Sequence, residues 1–150
     1  MKNMHANSLL TFSVLTLTLW KAHTLAAAWF NSPYDRQGWV ALIGWMLGPL
    51  LLKALRPTGD LHWLAAALVM SIAGTVADLS ALHAFALALA LASLARHGWQ
   101  RQLWFVGFVS WTSALGWLLS GFSSALVIIV RLIIAALSCC PWFFSRRAAA

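Results

Sequence analysis

Six apolar runs, three of whose five boundaries are short polar turns, constrain this chain more than any other feature. They are Leu9–Trp29, Gly38–Leu55, Leu61–Leu79, Ser80–Ala95, Leu103–Gly121 and Phe122–Phe144. A helix of about 20 apolar residues is long enough to cross the hydrocarbon core of a bilayer. Hydrophobic residues make up 62% of the 150 residues and charged residues only 9%, which is unlike a soluble domain. The sequence therefore predicts an all-α, polytopic transmembrane bundle of about six spans, with residues 1–150 forming a single membrane-embedded domain.

The first run has two interpretations. In the first it is a retained transmembrane helix. In the second, residues 1–28 are a signal peptide with Lys2 before an apolar core, Leu9–Trp20, and with Ala26–Ala28 as a small-residue cleavage site. We expect the run to be retained as a span.

The distribution of positive charge predicts the orientation. If successive turns alternate across the membrane, seven basic residues fall on one side and Arg36 alone on the other. The seven are Lys2, Lys53, Arg56, Arg96, Arg101, Arg146 and Arg147. Because Lys and Arg concentrate on the cytoplasmic side, both termini are predicted to be cytoplasmic, in a bacterial inner (plasma) membrane. The net charge of +7 then marks topology and lipid contact, so the predicted partners are the lipid bilayer and other membrane subunits, and not nucleic acid.

The turn between the first two runs is predicted to be the main outward-facing loop. Its candidate residues are Trp29, Tyr34, Asp35, Arg36 and Trp39. Asn31, Ser32 and Pro33 are turn formers within it. Tryptophan rings near span ends are typical of the membrane interface.

Small residues four apart on a helix allow another helix to approach closely. Gly44 and Gly48 have this spacing in the second run, and Gly116 has it with Thr112 and Ser120 in the fifth. In the third run, Gly74 shares a predicted face with Ser71, Thr75 and Asp78. Gly44, Gly48, Gly74 and Gly116 are the candidate helix-packing positions.

Among the ionisable residues that lie within apolar runs, Asp78 and Arg131 are the candidates for a structural or functional role. Charges inside a span are costly unless they are paired. We predict that Asp78 and Arg131 form an intramembrane pair that fixes helix packing. The alternative is that Arg131 binds an anion.

No cofactor or metal is predicted. A haem between helices needs two histidines at one depth, and His23 and His83 are the one pair that could meet this requirement. Cys139 and Cys140 are adjacent, which does not suit a disulfide, and no histidine near them in sequence would activate a thiol.

The stretch Trp29–Tyr34 (WFNSPY), followed by Gly38 opening a span, resembles the exosortase/archaeosortase family. The stretch Ala95–Phe108 is similar to that family's basic loop and the helix after it. The resemblance implies a multi-pass membrane protein related to enzymes that use Cys, Arg and His on the outer side to cut and transfer a sorting signal. Arg36 and Gln37 stand where the family's early His would be, and no Cys is followed by an Arg and a His. The chain therefore resembles the N-terminal, non-catalytic part.

The leading prediction for function is an accessory protein or small subunit of a membrane assembly, without a complete catalytic site. One alternative is a divergent exosortase-like cysteine transpeptidase. Another is a small transporter that uses Arg131 and Asp78.

Overall fold

The chain is all helical in the residues that the computed structural model describes: 2–35, 38–40, 42–43, 55–56, 58–96 and 98–144, with side chains undescribed at 2–5, 113–114, 117 and 139–144. The helices are α1 Lys2–Lys21, α2 His23–Asn31, α3 Leu61–Ala77, α4 Ser80–Ala92, α5 Gly98–Val109, α6 Ser113–Leu118 and α7 Ser124–Phe144. Residues 38–40 and 42–43 are also helical. The β-structure in the described ranges consists of one isolated antiparallel bridge between Leu55 and Ala95. The all-α prediction is confirmed.

The first apolar run is bent. It forms α1 and α2, which meet at Ala22 with a bend of 44°. Thr18, one turn before the bend, is fully buried and its hydroxyl donates to the Val14 carbonyl at 2.9 Å, a local bond that favours helix bending. Within the described ranges no helix alone is both long and apolar enough to cross a membrane, whereas Ala6–Asn31, taken as one bent pair, meets both requirements.

Helices α3 and α4 form a hairpin whose limits follow the sequence closely. Asp60 caps α3 by accepting a hydrogen bond from the His62 N–H at 3.1 Å. The helix ends at Asp78, which adopts the left-handed conformation with φ 53° and ψ 39°. A Cβ on Gly74 would lie 3.0 Å from the His83 ring, so α3 and α4 approach closely at this glycine.

The fifth apolar run does not form one helix. The predicted span Leu103–Gly121 is interrupted after Val109, and α6 begins only at Ser113. Two hydroxyl groups bond locally at the break: Ser110 donates to the Gly107 carbonyl at 2.5 Å, and Thr112 donates to the Val109 carbonyl at 2.8 Å. Such bonds compete with the helical ladder. The break leaves the carbonyls of Ser110 and Thr112 available to another part of the chain.

The main core lies where α2 and α5 meet α4, together with Ala22 at the bend before α2. The alanines of α4 form much of it, and their small side chains let the neighbouring helices approach closely. Its buried members are Ala22, Leu25, Trp29, Ala84, Leu87, Ala88, Ala92, Ala95, Trp104 and Phe108.

Two polar layers lie at opposite ends of the helices. At the first, called the Asp60 end, Arg101 pairs with Asp60 at 2.6 Å and donates to the Ala95 carbonyl at 3.1 Å. The Gly59 N–H also donates there to the Thr11 hydroxyl at 3.0 Å, which connects the N-terminal half of α1 to this layer. The second layer, called the Asp35 end, contains the turn after α2 and the break between α5 and α6.

Candidate functional site

Arg131 is the centre of the Asp35 end. It lies on the buried stripe of α7, with Val127 one turn before it and Ala135 one turn after it. The spacing of four residues places all three side chains on the face that packs against α5. Arg131 is 0% exposed, so its charge is completely removed from solvent.

The guanidinium of Arg131 is surrounded by acceptors from two distant segments. Nη1 donates to Asp35 Oδ1 at 2.7 Å and also to the Tyr34 carbonyl. Nε donates to the Ser110 carbonyl, and Nη2 donates to the Thr112 carbonyl at 2.7 Å. The guanidinium carbon also lies 5.1 Å from the centre of the Trp111 ring, within cation–π range. We call these six residues the Arg131 cluster: Tyr34, Asp35, Ser110, Trp111, Thr112 and Arg131.

The cluster compensates for the cost of burying the charge of Arg131 on α7. A buried, unpaired guanidinium would be strongly unfavourable. Asp35 neutralises the charge, and its side chain is itself only 5% exposed. The three carbonyls occupy further N–H groups, so Nε and both terminal nitrogens of Arg131 donate within the protein. These bonds join the turn after α2, the α5–α6 break and α7 in one arrangement.

The predicted pairing of Arg131 with Asp78 is wrong. Asp78 ends α3, and its side chain is exposed. The physical reason is that the turn after α2 folds inward against the α5–α6 break, which brings Asp35 to the depth of Arg131. Asp35 was predicted to belong to the outward-facing loop, so it was not considered as a partner for Arg131. The small number of acidic residues was a usable signal. An arginine inside an apolar run needs a carboxylate partner, and the chain has only three acidic residues to supply one.

The other predicted outer-loop residues divide between structural and exposed roles. Trp29 is buried, and its indole N–H donates to the Trp111 carbonyl at 2.9 Å. The Tyr34 hydroxyl donates to the Ser120 carbonyl at 3.2 Å, which ties the same turn to the segment that follows α6. Trp39 is 47% exposed. Arg36 lies outside the described residues.

The predicted glycine positions also divide. Gly74 lies at a helix–helix contact, as described above. Gly116 packs against the Asp35–Arg131 pair, since a Cβ there would lie 2.5 Å from Asp35 Oδ1 and 3.3 Å from Arg131 Nη1. Gly44 and Gly48 lie outside the described residues.

The residues considered for haem or thiol chemistry are not gathered at the Arg131 cluster. His23 is exposed, with its Nδ1 3.1 Å from the Trp20 carbonyl, whereas His83 packs against Gly74. In the described part of the chain, His, Cys, Asp and Glu do not form a group of three suited to a metal ion. Cys139 and Cys140 belong to α7, but their side chains are outside the description.

Comparison of the chain with protein families, curated proteins and solved structures finds no match. The relationship to exosortases therefore stays a prediction. The chemistry of the site follows from its contacts: the Asp35 carboxylate and three main-chain carbonyls already bind the guanidinium. In this arrangement Arg131 acts as a structural crosslink.

Proposed function

We propose that this chain is a multi-pass helical protein of the bacterial inner membrane that serves as an accessory or small subunit of a membrane assembly. The observation that carries the proposal is the surface of α7. Its outward residues are large and apolar, including Ile129 and Ile133, both 53% exposed, and Leu137, 63% exposed. Arg131, the one charged residue of this helix, is turned inward. Water would disfavour such a surface, whereas lipid would not.

The surface of α3 supports the same proposal. It carries no Lys, Arg, Asp or Glu over its 17 residues. Val69 is 64% exposed, Ile72 55% and Val76 83%. A helix of a soluble protein normally places charged or polar residues on the face that is turned away from the core.

The spacing of the two polar layers is also appropriate for a bilayer. Thr11 contacts the Asp60 end, and Asn31 precedes the turn at the Asp35 end. Twenty residues separate them along α1 and α2, which is about 30 Å of helix at 1.5 Å per residue. That path, although bent, is close to the thickness of a hydrocarbon core, which is about 30 Å.

Within this proposal the Asp60 end faces the cytoplasm. Arg56 and Arg96 are exposed at that end. At the opposite end, Arg131 is neutralised by Asp35. This asymmetry agrees with the positive-inside rule.

The Arg131 cluster supports an accessory role over the transport alternative. A transport site needs groups that can exchange a protein partner for a substrate. Arg131 is fully buried and bound by four acceptors, and Asp78 lies elsewhere. Since α7 packs mainly against α5, its remaining apolar faces are available to lipid or to another subunit.

Replacing Ile133 by lysine tests the membrane location. In lipid, a lysine in the middle of α7 is costly, by about 2.5–3.5 kcal/mol at a bilayer centre. We expect Ile133→Lys to reduce the amount of protein that resists alkaline carbonate extraction, and the matched Ile133→Leu to leave it unchanged. A soluble protein would tolerate the exposed lysine, so equal accumulation of both variants in the soluble fraction would contradict the proposal.

The subunit role has a separate test. The tagged chain is extracted from membranes of its own cells in a mild detergent, and its mass is compared with the same chain expressed alone in another host. We expect a larger, defined complex in the first case. An identical monomer from both sources would contradict the accessory role and leave the membrane location unaffected.

A further inference from the structure

A continuous apolar groove runs along α1 and α2 where they face α4. It encloses about 470 Å³, within the range of protein sites that bind small molecules. Phe12 and Leu94 line it near the Asp60 end, and Trp29 and Phe108 line it near the Asp35 end. Seventeen residues separate Phe12 from Trp29, or about 25 Å of helix, so the groove is longer than one bilayer leaflet of about 15 Å.

Two of the side chains that line the groove are polar, and each already donates its hydrogen bond within the protein. The Thr16 hydroxyl donates to the Phe12 carbonyl at 2.9 Å within α1. The Trp29 indole N–H donates to the Trp111 carbonyl at 2.9 Å. The other lining side chains are those of Ala, Leu and Phe. An occupant of this groove is therefore apolar along its length, because a polar one would lose its own hydrogen bonds with water.

The end of the groove at the Asp60 layer carries positive charge. The Arg56 backbone N–H donates to the carbonyl of Leu94, a lining residue, at 2.8 Å, and the Arg56 side chain is exposed. Arg96, two positions beyond Leu94, is exposed as well. Asp60, the described carboxylate at this end, is already paired with Arg101 at 2.6 Å. Arg56 and Arg96 thus lack a carboxylate partner among the described residues.

We propose that this groove holds one acyl chain of an anionic glycerophospholipid whose phosphate is bound by Arg56 and Arg96. This inference rests on the proposed membrane location. The apolar groove complements the acyl chain of such a lipid, and the positive charge at one end of the groove complements its phosphate. Basic sites between helices at the cytoplasmic side are suited to anionic headgroups. A free phosphate ion would use the arginines and leave the groove empty.

The test uses the full-length chain reconstituted in vesicles with equal amounts of phosphatidylcholine and phosphatidylglycerol. The protein is re-extracted in mild detergent, and retained lipid is identified by native mass spectrometry. We expect wild-type protein to retain one phosphatidylglycerol in preference to phosphatidylcholine. Arg56→Gln and Arg96→Gln should each lower that preference by about fivefold. Lys21→Gln serves as a control for loss of charge away from Arg56 and Arg96.

A second pair of variants tests the groove itself. Ala26 lines it, whereas the neighbouring exposed Ala27 does not. We expect Ala26→Trp to abolish lipid retention and Ala27→Trp to preserve it, with Ala26→Leu and Ala27→Leu as smaller versions in case the larger residue prevents folding. Equal retention by the Ala26 and Ala27 variants, or equal retention of the two lipids by wild type, would overturn the inference. If the wild-type protein is membrane-bound but retains no lipid, the lipid inference is overturned and the proposed function is not. If the wild-type protein is soluble, both are overturned.

Discussion

The carboxylate of Asp35 lies 2.7 Å from the guanidinium of Arg131, although 96 positions separate them in the chain. The contact fixes the turn after α2 against α7. The same turn is held by the bond from Tyr34 to the Ser120 carbonyl and by the packing of Asp35 on Gly116. The Asp35 end is therefore a folded layer that closes one end of the bundle.

The strength of this pair can be measured by a double-mutant cycle. Removing one partner of a buried ion pair costs about 3–5 kcal/mol, because the other charge is left buried and unpaired. We expect Asp35→Leu and Arg131→Leu each to lower the Tm in detergent strongly, and the double variant to lose much less than the sum of the two. Asp78→Leu combined with Arg131→Leu is the control, and there we expect the effects to add. Additive effects for Asp35 and Arg131 would show that the pair is not coupled.

Gly116 provides an independent probe of the same layer. It lies in α6, where replacing glycine by alanine normally stabilises a helix by about 1 kcal/mol. Here the new Cβ would lie 2.5 Å from Asp35 Oδ1, so the turn must shift. We expect Gly116→Ala to destabilise the protein by about 1–3 kcal/mol, as overpacking does.

Gly121 is the matched control for Gly116. A Cβ at Gly121 would have no neighbour within 4 Å, and its backbone does not have a positive φ. Gly121→Ala should therefore be neutral or slightly stabilising, measured by thermal unfolding in the same detergent. A stabilising Gly116→Ala would show that Asp35 does not occupy the position described.

Local signals in the sequence predicted much of the helical framework. The third apolar run was predicted to begin at Leu61, which is where α3 begins. The break between α3 and α4 was also predicted to within about two residues, which is the usual uncertainty of helix ends.

Features that depend on distant contacts were not predictable in the same way. The break after Val109 occurs where Ser110 and Thr112 bond locally and their carbonyls accept from Arg131. In sequence, Thr112 and Ser120 resembled a small-residue packing stripe with Gly116. Asp35 resembled a loop residue, because hydropathy does not indicate that a loop folds inward toward a charge 96 positions away. These contacts determine the candidate site, so the site was only partly predicted, through Arg131.

The Asp60 end combines a helix cap with an ion pair, and two substitutions can separate them. Asp60 caps α3 and pairs with Arg101, whose side chain is 11% exposed. Asparagine caps a helix about as well as aspartate but carries no charge. We expect Asp60→Asn to cost up to about 1 kcal/mol, since the pair is partly exposed. Asp60→Ala should cost about 1 kcal/mol more through loss of the cap. Equal stability of these two variants would show that the cap bond contributes nothing.

The proposed orientation predicts the results of reporter fusions. A reporter fused after Ser32 should read outside, and reporters fused after Arg101 and after Arg147 should read cytoplasmic. The reason is the seven-to-one charge distribution, supported by Arg56 and Arg96 being exposed at the Asp60 end while Arg131 is neutralised by Asp35. Charge reversal sharpens the test: Arg56→Glu together with Arg96→Glu should produce a mixed orientation, whereas Asp78→Asn should not, because acidic residues contribute little to topology. An outside reading for the Arg101 fusion of the unmodified chain would contradict the orientation, and with it the placement of Arg56 and Arg96 on the cytoplasmic surface.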